Sequence, residues 1–275
     1  MVRGVAASLA FAGAAWLAAC LCSAQACDVS DAEAATIASV IDGETLRLTN
    51  GRTVRLIGAK APRPPLGWRG EDPWPFVEEA QAVLADLTAG KTVELGFGER
   101  RSDRHGHLLA QVFVVEGGER LWLQQEMVAR GLAQVYSFVD NRACAAELLT
   151  REREARAQRL GLWGSSAYRV VSATDLERLR RLIHSFQLVE GRVVAVGQGA
   201  GRLYLNFAED WRSDFTVSIE RQQLPAFADG GIDPHALAGK RVRARGTLLW
   251  RNGPMIEASH PEQLELLLEN PARAM

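Results

Sequence analysis

The chain lacks a basic excess. Over 275 residues, 32 Lys and Arg stand against 33 Asp and Glu, a net charge of -1. A protein that grips long nucleic acid by its phosphates usually carries a broad positive footprint, so any such role here must rest on a local site. There is no long polar tract beside the 47% hydrophobic content, and no close internal repeat in residue identity. Cysteines number four, and their spacing does not make a zinc site. What remains is a chain long enough for two small domains, each burying its own core.

The first 26 residues run from a basic start at Arg3 through an apolar stretch to small residues at Ala24 and Ala26. This is the pattern of an export signal cut before Cys27, giving a periplasmic or secreted protein. A competing cut at Leu17-Ala18-Ala19-Cys20 resembles a bacterial lipobox and would leave a lipid anchor on Cys20. Cleavage before Cys27 leaves Cys27 and Cys144, an even pair for which a disulfide is expected in an oxidising compartment; two buried free thiols are the alternative. No transmembrane domain is expected in the mature chain.

After the leader, alternation around Asp42-Gly43 and again around Asn50-Gly51 predicts a β-meander. Residues 61–75 hold five prolines and must form a loop. A helix follows from Phe76 to Leu87, with Val77, Ala80, Val83, Leu84 and Leu87 on one face and Gly90 as its stop. Two strands, 91–97 and 107–114, flank a polar turn. A helix is then expected with the stripe Leu121, Gln125, Val128 and Leu132, and another over 144–160 whose arginines read as a solvated face. This order gives an α+β, mainly β fold: a five-stranded OB-type barrel with capping helices over 27–168.

A connecting helix over 169–185, capped at Thr174/Asp175, leads to five more strands with a helical insert near Pro225–Leu237. These predict a second small OB-like β-barrel over 186–270. Its strand 202–207 alternates Leu203, Leu205 and Phe207 inward, leaving Tyr204 and the nearby Trp211 as candidates for a ligand face. Arg241, Arg243 and Arg245 share one strand face, opposite Val242 and Ala244, and read as solvated exterior.

Six fragments in order, VIDGET (40–45), RLIGAKAP (55–62), GKTVEL (90–95), RSDRHGH (101–107), VARGLAQVY (128–136) and the helix running to GLW (161–163), resemble the thermonuclease, or staphylococcal nuclease-like, family. The resemblance covers about residues 36–164. It implies hydrolysis of DNA and RNA phosphodiesters with one calcium ion, an acid that helps the attacking water, and two arginines on the charged transition state. A hard cation needs carboxylate oxygens, and the transition state needs fixed positive forks.

Matched residue by residue, the family's metal-binding turn falls on Asp42-Gly43-Glu44-Thr45. Glu44 is either a displaced metal ligand or an exposed turn acid, and Asp42 is its candidate partner. Arg55 keeps the first catalytic arginine. The following segment, which the family writes with aspartate, threonine, proline and glutamate, here reads Lys60, Ala61, Pro62 and Arg63. Lys60 puts an ammonium where a metal ligand stands, and Arg63 cannot serve as a general base. His107 replaces the second arginine. Asp103, His105 and His107 are also a conceivable metal site, although a tight hairpin turn accounts for them without an ion.

Arg104, His105 and Tyr136, with Phe138 beside them, fall where the family holds a nucleotide; packing is the alternative for both aromatics. The expectation is an exported thermonuclease-family protein with degenerate catalysis, binding single-stranded nucleic acid, a nucleotide or a phosphate-like anion through Lys60, Arg63 and Arg55. No cofactor is expected, and calcium only if hydrolysis survives. The rivals are an active metal-dependent nuclease using Asp42, Glu44, Arg55 and His107, and a structural module that binds an envelope protein.

Overall fold

The computed structural model describes residues 27, 29, 32–65 and 67–268. The expected leader and Cys20 lie outside these residues. In the first half, alternating apolar residues form β1 (Ala32–Asp42), β2 (Thr45–Leu48), β3 (Thr53–Leu56) and β4 (Gly58–Lys60). Helix α1 (Val77–Thr88) follows, then β5 (Thr92–Ser102), β6 (Leu108–Glu116), β7 (Glu119–Trp122), α2 (Leu123–Ala129), β8 (Gln134–Tyr136) and α3 (Ala145–Ala157). β1 is long because it serves two partners: residues 32–36 pair with β5 and residues 37–42 with β2. β3 then closes on β6 in parallel, so β1, β2, β3, β6 and β5 form a ring. Its interior is a continuous apolar cluster that includes Leu46, Val54, Leu84, Val93, Leu95 and Val112. Each such side chain, fully buried, stabilises the fold by about 1.5–3 kcal/mol.

The expected Leu121 stripe needs correction. Leu121 lies on β7 and is exposed, and the helix begins two residues later, burying Leu123, Gln124, Met127 and Val128. Trp122 precedes the helix in the extended conformation usual for that position, and its indole N–H donates to Gln111 Oε1 at 3.0 Å. Cys27 and Cys144 are joined in a disulfide with Cα atoms 5.1 Å apart. It closes a separation of 117 residues, a constraint on the unfolded chain of order 4–5 kcal/mol.

The second half begins with a two-residue strand, β9 (Val171–Ser172), and helix α4 (Leu176–Arg181), which is shorter than the expected span. Asp175 caps α4 by accepting from the Arg178 backbone at 3.1 Å. Then come β10 (Phe186–Arg192), β11 (Ala195–Gly199), β12 (Arg202–Asn206), β13 (Thr216–Glu220), α5 (Leu224–Asp229), β14 (Arg241–Trp250), β15 (Pro254–Ala258) and β16 (Leu264–Leu267). The sheet runs β11-β12-β13-β15-β14-β10, with β13 and β15 parallel. Because β10 and β11 are separated only by Val193 and Val194, the path curls back toward its own start. This repeats the first barrel's order, including one parallel pair and a helix inserted between the third and fourth strands. Among the described residues, no helix is long and apolar enough to cross a membrane.

The barrels meet through charge. Arg245, expected at the solvated exterior, is only 1% exposed. Its guanidinium donates to Glu152 of α3 at 2.7 Å, to Glu265 of β16 at 2.5 Å and to the Val135 carbonyl at 3.1 Å. Arg156 of α3 reaches Glu265 at 2.9 Å, while Arg243 pairs with Glu190 at 2.7 Å. Nearby, Arg142 forks onto Glu262, and Ser137 bonds His260 at 2.8 Å. Period-two alternation places Arg241, Arg243 and Arg245 on one face correctly; the first barrel covers it at Arg245, while Arg241 and Arg243 stay partly exposed and pair with Glu190 and Glu265 of their own barrel. Part of α3's charge is likewise an interface, whereas Arg151 and Glu154 pair in solvent.

Candidate functional site

The β1–β2 turn aims the first functional side chain. Asp42 Oδ1 accepts from the Glu44 backbone N–H at 2.9 Å, fixing a tight turn. Gly43 is required there, since a Cβ would sit 2.8 Å from both Ala61 Cβ and Ala80 Cβ. The close packing of α1 and the loop after β4 against this turn drives Glu44 inward, to 3% exposure. It is not an exposed turn acid.

Burying a carboxylate is costly unless its lone pairs are satisfied. Glu44 Oε2 accepts from the Ala61 backbone N–H at 2.6 Å, and Oε1 accepts from Arg63 Nη2 at 2.6 Å and from Arg55 Nη2. Arg55 stands at the centre of β3, with Thr45 and Leu109 on either side in the ladder. Burial disfavours its charge, but the hydrogen bond and charge attraction of Glu44, with the charges of Asp103 and Asp42, together outweigh that and leave its pKa raised. Arg55 Nη1 also lies 3.8 Å from Asp103, and Arg63 lies 3.9 Å from Asp42. Loop 61–75 is tied down farther along, where the Trp74 indole bonds the Tyr168 hydroxyl at 2.6 Å.

Asp103 is the hub of the β5–β6 turn. One oxygen accepts from the backbone N–H groups of His105 at 2.8 Å and His107 at 3.0 Å; the other meets His107 Nδ1 at 2.9 Å. Partial burial pushes its pKa up, but these donors prevail and hold it below the ordinary carboxylate value. This network explains the Asp-x-His-x-His spacing as a turn, with His107 facing Arg55's partner. Arg104 and His105 remain on the exposed tip of the turn, bonded to each other at 3.1 Å.

Lys60 ends β4, and its ammonium lies 5.5 Å from the centre of the Tyr136 ring. Burial lowers its pKa; Glu44 offsets this in part, and the nearby Arg63 and Arg55 add to the fall. No carboxylate lies within ion-pair distance of it among the described residues. Tyr136 is half-buried between Phe138, ring centres 4.6 Å apart, and Phe186 of β10 at 4.9 Å. Burial raises its pKa. Phe138 is 40% exposed, so it is an open aromatic edge and not core. Phe186 had no signal in the sequence, because it reaches the cleft from the other barrel.

The structure therefore gathers Asp42, Glu44, Arg55, Lys60, Arg63, Asp103 and His107 beside Tyr136. A calcium ion takes six to eight oxygen ligands. Here both oxygens of the central carboxylate are already bonded to two guanidinium groups and an amide, and an ammonium stands close by. Among the described residues, no group of three or more His, Cys, Asp or Glu is placed to hold a metal ion. The residues present do not fit the family's metal.

The closed ring, the meander turn and the arginine on β3 define a nuclease-type OB barrel. The family model described as Staphylococcal nuclease homologue matches residues 53–165. The chain is 32% identical over 133 residues to a Micrococcal nuclease of Shigella flexneri, covering 46% of this chain and 71% of that protein. It is 32% identical to Protein ParB of Escherichia coli, covering 46% and 70%. Endonuclease YncB of Bacillus subtilis is 30% identical, with 48% and 63% covered. This chain belongs to the staphylococcal nuclease family.

Proposed function

We propose that this protein is an exported member of the family in which the cleft has lost hydrolysis and binds single-stranded nucleic acid, a nucleotide or another phosphate-like anion. The observation that carries this reading is the commitment of Glu44 to Arg55, Arg63 and the Ala61 amide. A carboxylate so occupied has little left to offer a cation, and Arg63, in the place of the family's acid, cannot take a proton from water. Lys60 supports the binding half. It is desolvated without a carboxylate partner and lies against an aromatic ring, the pairing of cation and platform that suits a nucleotide. The Cys27–Cys144 disulfide supports an oxidising compartment.

Titrating the mature protein with a labelled single-stranded oligonucleotide tests this. Saturable, salt-sensitive binding is expected, weakened about tenfold or more by Lys60→Ala; a flat titration removes the proposal. The rival reading, an active nuclease using Asp42, Glu44, Arg55 and His107, is favoured by the names of the relatives. A calcium-dependent digestion assay decides between them. Robust cleavage abolished by Arg55→Ala would establish the rival.

A further inference from the structure

A cavity of 480 Å³ lies away from the nuclease cleft, on the outer face of the second barrel. Its volume falls in the range of roughly 300–1,000 Å³ found for small-molecule pockets. It sits over β11, β12 and the β14–β15 turn. Strand pairing explains its shape: the row across the sheet reads Gly197, Tyr204, Ser218, Glu257, so one ring stands between residues with little or no side chain. Gly197 and Gly199 are not demanded by the backbone, since neither adopts a left-handed φ. Nor does crowding require them: a Cβ at Gly197 would approach nothing nearer than 3.8 Å, and one at Gly199 would meet nothing within 4 Å. Glycine weakens a strand interior, and close approach by a ligand is one of the uses that strand glycines serve, alongside bulges and barrel bends.

The remaining lining has a definite chemistry. Trp211 is 48% exposed and held by the Arg212 guanidinium, 4.3 Å from its ring centre. The Tyr204 hydroxyl and the Asn206 amide carry no protein hydrogen bond among the described residues. Both lining guanidinium groups are already neutralised: Arg202 by Glu220 at 2.7 Å and Glu257 at 2.8 Å, Arg251 by Glu257 at 3.3 Å. Within the strand lining a polyanion would find both guanidinium groups paired; the Arg212 guanidinium, which has no ion pair among the described residues, lies over the Trp211 ring and is the one cation beside the cavity that an anion could use. A neutral polyhydroxyl chain would find fixed donors and acceptors with two aromatic faces beside them.

We infer that the second barrel binds a neutral oligosaccharide across β11 and β12. Tyr204 and Trp211 lie against the C–H faces of its rings, and Asn206 with the Arg202–Glu257 pair bonds its hydroxyls. In strand order this is the second strand of the barrel with the loops before it and between strands four and five, the face on which OB barrels take oligosaccharides and oligonucleotides. The inference does not depend on the reading of the first barrel.

Calorimetric titration of the full mature chain with soluble β-linked glucose and N-acetylglucosamine oligosaccharides tests it. Saturable binding independent of salt is expected. Trp211→Ala and Gly197→Val should each weaken it about tenfold or more, with thermal unfolding unchanged, because the first residue is exposed and the second substitution fills open space on a strand. If no glycan in this panel binds, the inference fails. It fails equally if a single-stranded oligonucleotide binds in a salt-sensitive way and is lost in these variants, since the face would then be a nucleic-acid site.

Discussion

The cleft of the first barrel and the seam between the barrels use the same ingredients, arginines converging on a buried glutamate, under different degrees of solvation. In the cleft, Glu44 is buried, but the Arg55 and Arg63 side chains are 36% and 47% exposed. At the seam, Arg245, Glu152 and Glu265 are all sealed. A sealed cluster selects one arrangement of the two bodies, because displacing one member while the seam stays closed leaves a charge without water or partner. A cluster whose cations reach water can exchange its internal carboxylate for an incoming anion.

The largest expected effect comes from breaking the seam. Arg245→Ala strands Glu152 and Glu265 and should cost about 3–5 kcal/mol in denaturant unfolding. A cost below about 1 kcal/mol would show the seam to be wetter than described. Acid should act next, in two stages. Burial holds His260 at about 4, below its usual 6.5, so the unfolded chain binds the proton first and stability falls as pH drops from about 6.5 to 4. On Glu265 burial acts the other way and pushes the pKa up, but Arg156, Arg245 and Arg243 prevail and hold it down at about 2 against 4.5. Its contribution is complete above about 4.5 and lost as pH falls toward 2.

Each stage is on the order of 3 kcal/mol. His260→Gln should remove the upper one, which stability measured against pH would reveal. The smallest effect belongs to the cleft. Glu44→Gln removes the internal anion, so oligonucleotide affinity should rise about tenfold while stability falls by about 1–3 kcal/mol. A fall in affinity would mean that Glu44 is needed to hold Arg55 and Arg63 in place.

The fold was largely legible in the residues. Asp42-Gly43 and Asn50-Gly51 marked the meander, the prolines of 61–75 bounded the loop, and Leu203, Leu205 and Phe207 assigned the second barrel's interior. Leu121 misled because a strand and a helix abut at Trp122, and apolar residues on both sides mimic one helical stripe. The partners of Glu44 were not legible: Arg55, Ala61 and Arg63 are 11 to 19 residues away, and only the packing of Gly43 against Ala61 and Ala80 turns the acid inward. Alternation also put Arg241, Arg243 and Arg245 on one face without revealing what lies on it, since a period of two carries no record of a distant surface.

The bond between Cys27 and Cys144 has a consequence for proteolysis. It spans every strand of the first barrel and the loop whose residues 67–73 are exposed, so that stretch of chain is covalently a ring. A protease that nicks the loop opens the ring without releasing a fragment. The cut molecule would keep its mass on a non-reducing gel and separate into two pieces only after reduction.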